Sequence, residues 1–383
     1  MIYMNQPMIQ SVNPGERSLT LEWADGRRSQ FHYLWLRDNC PQLRHKTTNH
    51  RVVETSSLPD DVRPAQAFIN AAGGLQIVWQ HDGHESVFDP SWLRAYDYSN
   101  HARRVRQRPV LWDATLGASM PHAHYPTLLK DPEVRRNYLS QFRDYGVGIL
   151  HDVPVTPGTV LDVGKQFGEV RSTSWGIVFD VKAMVNANSL AYTNLPLVTH
   201  TDEAYRNPTP TIQLQHFLQA DAAGGESTLV DGFKIAADLR ASAPDQFHLL
   251  TSMPLHFHFR DTDAELENEG PVIELNALGE VAGIRYSNHS VRPFLLPVDQ
   301  MEAFYAAYRS FGRMRESPQY RLDIKMASGD LYMVDNRRVL HGRTAFSGSG
   351  ARHLQSCYIE RDELFSRLQV LERKAETPVS HTT

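Results

Sequence analysis

The stretch LVTHTDEAYR, residues 197–206, places a histidine and an aspartate two positions apart among small and apolar residues. In an extended segment, residues i and i+2 point to the same side, so the imidazole of His200 and the carboxylate of Asp202 can reach one point. A histidine beside an aspartate is also a common hydrogen-bonded structural pair. The motif alone does not separate a metal site from such a pair.

A third candidate ligand lies in MVDNRRVLHGRTAF, residues 333–346, where His341 follows a strand pattern and precedes a glycine. Two histidines and one carboxylate on one side of an ion leave several coordination positions open, as in non-haem Fe(II) oxygenases. Arg352 follows His341 by eleven residues, on the next predicted strand. Its guanidinium could hold a carboxylate through two parallel hydrogen bonds, and an ordinary surface arginine is the alternative. The order His-x-Asp, long gap, His, Arg favours a metal site beside an anion site.

The composition is that of a globular protein. The chain has 383 residues, of which 41% are apolar, enough for two domains or one large one. Its net charge of -5 comes without a long basic run, which argues against a nucleic-acid partner. We find no signal-peptide pattern and no stretch apolar enough to cross a bilayer, so we expect a cytoplasmic protein without membrane association. Two cysteines cannot form a disulfide framework, so metal ligands are to be sought mainly among the histidines and acids.

Strand and helix patterns divide the chain into domains. Short strand patterns with Asp-Gly and Gly-Gly turns, at 18–26, 29–39 and 74–88, predict a small β-rich domain over residues 1–97. Residues 98–125 are assigned to a linker, residues 126–373 to the main domain and residues 374–383 to a flexible tail. The main domain combines helical patterns, at 125–146, 156–170, 233–250 and 298–316, with strand patterns at 147–154, 211–220, 227–232, 254–262, 272–288 and 329–336. Many strands without a regular βαβ alternation predict an α+β domain built on an antiparallel sandwich or barrel.

Several motifs resemble a known family in their residues and in their order. HTDEAYR, GGESTLVDGF (224–233), DNRRVLHGR (335–343) and ARHLQSCYIERDEL (351–364) resemble the TauD/TfdA class of Fe(II)/2-oxoglutarate dioxygenases. LWLRDNC (34–40) and WQHDGHESVFDPSWL (79–93) resemble the small domain of γ-butyrobetaine hydroxylase and its trimethyllysine relative. The resemblance extends from about residue 15 to about residue 373.

The resemblance implies a double-stranded β-helix, or jelly roll, with flanking helices. It implies that His200, Asp202 and His341 bind Fe(II), and that Arg352 binds the distal carboxylate of 2-oxoglutarate. The implied reaction uses O2, converts 2-oxoglutarate to succinate and CO2, and hydroxylates an unactivated C–H bond. The family is typically homodimeric, so a homodimer is expected.

The resemblance also implies a substrate site for a small quaternary ammonium compound. Four residues match the aromatic cage that holds a trimethylammonium head: Trp175, Phe179, Tyr192 and Tyr358. A quaternary ammonium has no N–H to donate, so ring faces are its natural partners. The anionic end of the substrate is expected to meet polar groups at Asn188, Tyr205, Arg206, Ser287, Asn288 and His289.

The small domain departs from the family pattern of a structural zinc site. Cys40 matches a zinc ligand, but Gln42 stands at the second position and His45 at the third, with His84 at the downstream one. One cysteine and two histidines could hold Zn2+ with a further ligand, or the site could be lost. In the second case, packing of Trp35, Leu36 and Trp79 is expected to stabilise the domain.

The sequence leaves alternatives for the activity. The preferred reading is hydroxylation of γ-butyrobetaine to L-carnitine, and hydroxylation of 2-(trimethylammonio)ethylphosphonate at C1 is the main rival. A TauD-like sulfonate oxygenase is disfavoured by the aromatic positions. A non-catalytic binding protein is disfavoured by the complete set of ligands. A hydrolytic zinc enzyme would need neither O2 nor 2-oxoglutarate.

Overall fold

The computed structural model describes residues 7–99, 102, 109–182, 193–346 and 351–376. The chain divides into two compact units, Met1–Arg108 and Pro109–Thr383. They are called the amino-terminal unit and, after the activity that the resemblance leads us to expect, the catalytic unit. No helix within the described residues is long and apolar enough to cross a membrane.

The amino-terminal unit contains two antiparallel sheets of three strands each. Their strands are β1 (Ile9–Pro14), β2 (Ser18–Trp23), β3 (Arg28–His32), β4 (Pro64–Ile69), β5 (Leu75–Trp79) and β6 (Glu85–Phe88). Two short helices follow β3 and β6, α1 (Tyr33–Asp38) and α2 (Pro90–Ala95), with 3-10 turns at Pro41–Leu43 and Thr55–Ser57. Alternate residues of β2 and β5 are buried, as the period of a half-buried strand requires.

One strand prediction in this unit is wrong in part. The sequence predicts a continuous strand over residues 29–39, but the chain forms β3 and then turns into α1. Tyr33 and Leu36 are both buried, and a spacing of three puts them on one face of a helix. The many aromatic residues of this segment resemble a strand in composition although their burial follows the helical period.

The catalytic unit contains the remaining strands and helices. Its strands are β7 (His122–His124), β8 (Val147–His151), β9 (Val170–Arg171), β10 (Phe179–Lys182), β11 (Leu197–His200), β12 (Ile212–Ala220), β13 (Ser227–Asp231), β14 (Leu255–Arg260), β15 (Glu265–Gly270), β16 (Ile273–Leu275), β17 (Val281–Ile284), β18 (Leu322–Ile324), β19 (Leu331–Asp335), β20 (Val339–Arg343) and β21 (Arg352–Ile359). Its helices are α3 (Tyr125–Lys130), α4 (Pro132–Tyr145), α5 (Thr159–Phe167), α6 (Gly232–Ser242), α7 (Pro244–Ser252), α8 (Met301–Glu316) and α9 (Arg361–Glu376), with a 3-10 segment at Ala114–Ser119.

Two sheets form the core of the catalytic unit. The larger has the strand order β10-β21-β12-β19-β8-β7, with β9 also paired to β21, and is antiparallel except between β7 and β8. The smaller has the order β11-β20-β13-β18 and is antiparallel. Two hairpins, β14-β15 and β16-β17, complete the unit. This is the predicted α+β jelly roll, with helices packed outside its sheets.

The alternation of side chains decides which residues face the space between the two sheets. On the larger sheet Leu214 and Met333 pack towards helices α3, α4, α5 and α9, whereas Tyr332 and Leu354 belong to the layer between the sheets. On the smaller sheet Val339 of β20 lies in that inner layer. Because the strand period is two, His341 and Arg343 face the same way as Val339.

Three boundaries differ from those predicted. The linker predicted over 98–125 is too long, because residues 109–125 belong to the catalytic unit: Trp112 is buried, and its indole N–H donates to the carbonyl of Tyr145 at 2.8 Å. The helix predicted over 233–250 is two helices that meet at Ala243, since Pro244 begins the second one. The predicted tail begins inside α9, which continues to Glu376.

Candidate active site

Two strands and the turn after one of them bring the predicted metal ligands together. His200 ends β11 and is the cross-strand partner of His341 in β20, and their ring centroids lie 5.0 Å apart. Asp202 follows β11, with its two carboxylate oxygens 3.1 Å from Nε2 of His200 and 3.3 Å from Nε2 of His341. One candidate ligand atom from each residue lies within 4.8 Å of the others, and no other such group of three occurs among the described residues.

The backbone and the side chain of Asp202 are both held by hydrogen bonds. The amide of Asn336 accepts from the Asp202 N–H at 2.7 Å and donates to its carbonyl at 3.1 Å. The hydroxyl of Tyr358 and the amide of Gln213 both donate to Oδ2, at 2.7 and 2.5 Å. Burial alone would raise the pKa of Asp202, but the imidazoles of His341 and His200 hold it well below its usual range. The carboxylate is therefore charged and oriented.

The hydrogen bonds around His200 fit a bound cation. Its Nδ1 lies 3.0 Å from the carbonyl oxygen of Val198, which can only accept, so Nδ1 carries the proton. In a neutral ring Nε2 then presents a lone pair, yet it faces Oδ1 of Asp202. Two acceptors at that distance are compatible when a cation lies between them or when the ring is protonated. Two imidazoles and a carboxylate are a donor set that suits Fe(II).

Arg352 begins β21 next to the smaller sheet. Its guanidinium lies 5.6 Å from the ring centroids of Phe217 and Phe346, and burial lowers its pKa. Gly225, at φ +70°, lies against it: an added Cβ would come within 3.1 Å of Nε of Arg352. Arg343 lies nearby, and its pKa falls to about 10 through burial and the charge of Arg352. Two largely buried guanidinium groups therefore lie near each other, an arrangement that suits a bound anion.

A cavity of about 370 Å3 joins the metal ligands and Arg352 to a group of aromatic side chains. The aromatic lining residues other than histidine are Trp175, Phe179, Tyr205, Phe259, Tyr332 and Tyr358. The polar lining residues other than the metal ligands and Arg352 are Glu203, Gln213, Gln215, His258, His289, Ser290 and Arg343. The volume is in the range of small-molecule sites.

Three of the four residues matched to the aromatic cage line this cavity. The rings of Phe179 and Tyr358 lie 5.6 Å apart, and Trp175 contacts Phe259, with centroids 5.3 Å apart. The fourth, Tyr192, lies outside the described residues. Phe259 was missed in the sequence because it belongs to strand β14, where an aromatic residue needs no explanation beyond packing.

The residues expected at the anionic end fall in different places. Tyr205 lines the cavity but stacks on Phe259 at 5.0 Å, on the aromatic side. Arg206 is not a lining residue; its Nε lies 2.6 Å from the Glu203 carboxylate, and its guanidinium also donates to Ser174. Burial raises the pKa of Glu203 to about 7 although Arg206 opposes this.

Of the four remaining expected contacts, one lines the cavity. Asn288 is not a lining residue, and its side chain accepts from the Tyr308 hydroxyl at 3.5 Å. The next two residues, His289 and Ser290, line the cavity instead. Ser287 is buried behind them and bonds His289 at 3.2 Å. Burial and the neighbouring His200 lower the pKa of His289 to about 4, so this imidazole is neutral at pH 7. Asn188 lies outside the described residues.

The amino-terminal unit brings only two of the three proposed zinc ligands together. Sγ of Cys40 lies 3.2 Å from Nε2 of His84 and accepts from Ser86 at 3.0 Å. His45 is exposed and interacts through Nδ1 with Thr48, and it does not join the other two in a three-ligand group. Zinc in this unit stays a prediction.

Non-haem Fe(II) oxygenases are the class of protein that this fold and this ligand set define. Residues 108–358 match the family model described as "Taurine catabolism dioxygenase TauD, TfdA family", and residues 11–99 match "Gamma-butyrobetaine hydroxylase-like, N-terminal". The chain belongs to the TauD/TfdA family of Fe(II)/2-oxoglutarate-dependent dioxygenases, and it carries this additional amino-terminal domain.

Curated relatives match over almost their whole length. Gamma-butyrobetaine dioxygenase of Pseudomonas sp. (strain AK-1) is 39% identical over 93% of this chain and 94% of the relative. Mitochondrial trimethyllysine dioxygenase of Bos taurus is 30% identical over 90% of this chain and 84% of its own. Gamma-butyrobetaine dioxygenase of Homo sapiens is 29% identical over 94% of this chain and 96% of the relative. The chain is thus similar to dioxygenases named for two different trimethylammonium substrates.

Proposed function

We propose that the protein hydroxylates γ-butyrobetaine to L-carnitine, using Fe(II), 2-oxoglutarate and O2. The main support is one cavity that has metal ligands on one side and a cluster of ring faces on the other. The similarity to the Pseudomonas gamma-butyrobetaine dioxygenase agrees with this substrate.

Different side chains would bind the metal and 2-oxoglutarate. His200, Asp202 and His341 would hold the metal, and Arg352 would bind the distal carboxylate of 2-oxoglutarate through charge-assisted hydrogen bonds. When bound, Fe(II) and 2-oxoglutarate would supply the oxidising chemistry: 2-oxoglutarate is converted to succinate and CO2, and the two oxygen atoms of O2 end up in succinate and in the hydroxylated product. The protein's main contribution is to orient one C–H bond of the substrate towards the metal and to keep water away.

The aromatic side of the cavity suits a trimethylammonium head. Trp175, Phe179, Phe259 and Tyr358 present rings around the space next to Asp202. Each favourable cation–π contact contributes about 0.5 to 1 kcal/mol at an exposed site and about 2 kcal/mol when water is excluded. The cation needs no hydrogen-bond partner there, so aromatic faces suffice to bind it.

The polar side of the cavity supports a singly charged anionic end. His289 can donate a hydrogen bond without carrying a charge, because its imidazole is neutral, whereas the Ser290 hydroxyl already donates to Ser287 at 2.8 Å. The cationic side chains among the described lining residues are Arg343 and Arg352, which lie at the 2-oxoglutarate position. A carboxylate needs fewer donors and less opposing charge than a phosphonate. This favours γ-butyrobetaine over its phosphonate analogue.

Substrate preference is tested by succinate formation, O2 consumption and product mass with four compounds. These are γ-butyrobetaine, 2-(trimethylammonio)ethylphosphonate, trimethyllysine and taurine. We expect kcat/KM to be highest with γ-butyrobetaine and turnover of taurine to be absent. A preference of about tenfold, 1.4 kcal/mol, or more for another compound would replace γ-butyrobetaine as the substrate. Turnover of taurine alone would overturn the trimethylammonium class as well.

Two controls separate oxidation from other activities. His200→Ala is expected to abolish succinate formation with every substrate, while circular dichroism stays that of the wild type. Strict dependence on O2 and 2-oxoglutarate distinguishes a dioxygenase from a hydrolytic zinc enzyme, and turnover under anaerobic conditions would contradict the proposal. The homodimeric state and the cytoplasmic location stay predictions.

A further inference from the structure

Two side chains meet at one carboxylate oxygen of Asp202, Oδ2, which also lies 3.3 Å from Nε2 of His341. The Tyr358 hydroxyl and the Gln213 amide both donate to Oδ2, whereas Nε2 of His200 lies 3.1 Å from Oδ1. We propose that Tyr358 and Gln213 are positioning residues for the metal: they hold the Asp202 carboxylate in the orientation in which it faces the imidazoles of His200 and His341.

The strand register explains why both donors reach the same atom. Gln213 on β12 and Tyr358 on β21 are direct cross-strand partners, so their side chains project to the same face of the larger sheet. The amide of Gln213 is itself oriented, because its Oε1 accepts from Gln215 at 3.0 Å and leaves its NH2 for Asp202. The carboxylate therefore meets two donors that are already held in place by the sheet.

The remaining freedom of Asp202 is removed at its backbone. Asn336 bonds both the N–H and the carbonyl of Asp202, and its amide also donates to the carbonyl of Pro210 at 2.9 Å. With the backbone fixed, rotation of the side chain is the motion left, and the two bonds to Oδ2 restrict it. Partners of this kind around a ligand typically change metal affinity by about 10- to 100-fold when they are removed.

Tyr358 has a second contact, which makes the inference testable in a specific way. Its ring lines the cavity beside Phe179, where the proposed function puts the substrate head group. The hydroxyl donates to Asp202, and the ring face lines the cavity. Tyr358→Phe therefore removes the hydrogen bond to Asp202 and keeps the ring in the cavity. Phe179→Leu does the reverse, because it removes a ring face and leaves Asp202 untouched. The substrate contact of the Tyr358 ring rests on the proposed function, whereas the effect of its hydroxyl on metal binding does not.

The experiment measures Co(II) affinity by its visible absorption in competition with a chelator, without 2-oxoglutarate. Tyr358→Phe and Gln213→Leu are each expected to weaken Co(II) binding by about 10- to 100-fold. The matched control is Tyr332→Phe, which removes a hydroxyl from the same cavity that is not bonded to Asp202, and a change of less than about twofold is expected. Thermal unfolding verifies that each variant folds.

A second measurement follows γ-butyrobetaine binding by tryptophan fluorescence in the anaerobic Co(II) and 2-oxoglutarate complex, at saturating Co(II). We expect Tyr358→Phe to stay within about threefold of the wild type and Phe179→Leu to weaken binding by about 3- to 30-fold. Co(II) affinity of Tyr358→Phe and Gln213→Leu within twofold of the wild type would overturn the positioning role. Failure of the wild type to bind γ-butyrobetaine would instead overturn the proposed substrate, and the Co(II) result would still decide the positioning role.

Discussion

A buried ion pair beside the smaller sheet gives a quantitative test of the fold. Arg338 donates to Asp231 through two parallel bonds, Nε to Oδ1 at 3.0 Å and Nη2 to Oδ2 at 2.8 Å, and the two side chains are 2% and 0% exposed. Asp231 also accepts from the backbone N–H groups of Trp112 and Phe233. Each carboxylate oxygen therefore accepts from two donors.

Asp231→Asn is expected to destabilise the catalytic unit by about 3 to 5 kcal/mol, the usual cost of leaving a buried charge without its partner. Whichever way the new amide turns, its NH2 group faces two donors, so rotation cannot restore the bonds. The matched control is Asp323→Asn. Arg321 donates to Asp323 in the same two-bond geometry, at 2.8 and 3.0 Å, but these side chains are 30% and 42% exposed. We expect this change to cost less than about 1 kcal/mol.

Hydrogen–deuterium exchange of peptides from β19 measures this effect within the catalytic unit alone, because strand amides report the free energy of opening of their own unit. Where exchange is limited by global opening, Asp231→Asn should accelerate it by more than about 100-fold, and Asp323→Asn by less than about fivefold. Equal acceleration by the two variants would refute the reasoning, since burial is the difference between the pairs.

The other predictions concern the sites. Arg352→Met is expected to raise the KM for 2-oxoglutarate by at least about 100-fold, because two charge-assisted hydrogen bonds of about 1.5 kcal/mol or more each are lost. This KM is measured from the rate of succinate formation at increasing 2-oxoglutarate concentrations. Trp175→Leu should raise the KM for γ-butyrobetaine by about 3- to 30-fold with a smaller change in kcat, and an unchanged KM would remove this ring from the cage. His84→Ala should lower the Tm of the amino-terminal unit, because His84 contacts the buried Cys40, whereas the exposed His45→Ala should not. An equal decrease in Tm for the two variants would instead support a zinc ion bound by both histidines, and metal analysis of the purified protein would check this.

The metal ligands could be predicted because their signal is local. His200 and Asp202 lie two apart in an extended segment, and His341 follows a strand of continuous apolar residues. The structure adds that His341 lies within β20 and is paired directly with His200. Sequence patterns identify strands, but the pairing between distant strands comes from the folded sheet.

Residues that act through long-range register could not be predicted in this way. Gln213 reaches Asp202 because β12 pairs with β21, and nothing in TIQLQHFLQA distinguishes Gln213 from Gln215 or Gln219 as a partner of a metal ligand. Phe259 contributes to the cavity through a hairpin whose position depends on the whole unit. Trp112 fell in the predicted linker because its partner Tyr145 lies far along the chain.

Anomalous diffraction from crystals grown anaerobically with Fe(II) would test the proposed metal centre most directly. The expected result is one strong peak in the catalytic unit, within about 2.0 to 2.3 Å of an imidazole nitrogen of His200, an imidazole nitrogen of His341 and one oxygen of Asp202. A peak bound by other side chains, or these three residues turned away from a shared ion, would contradict the account.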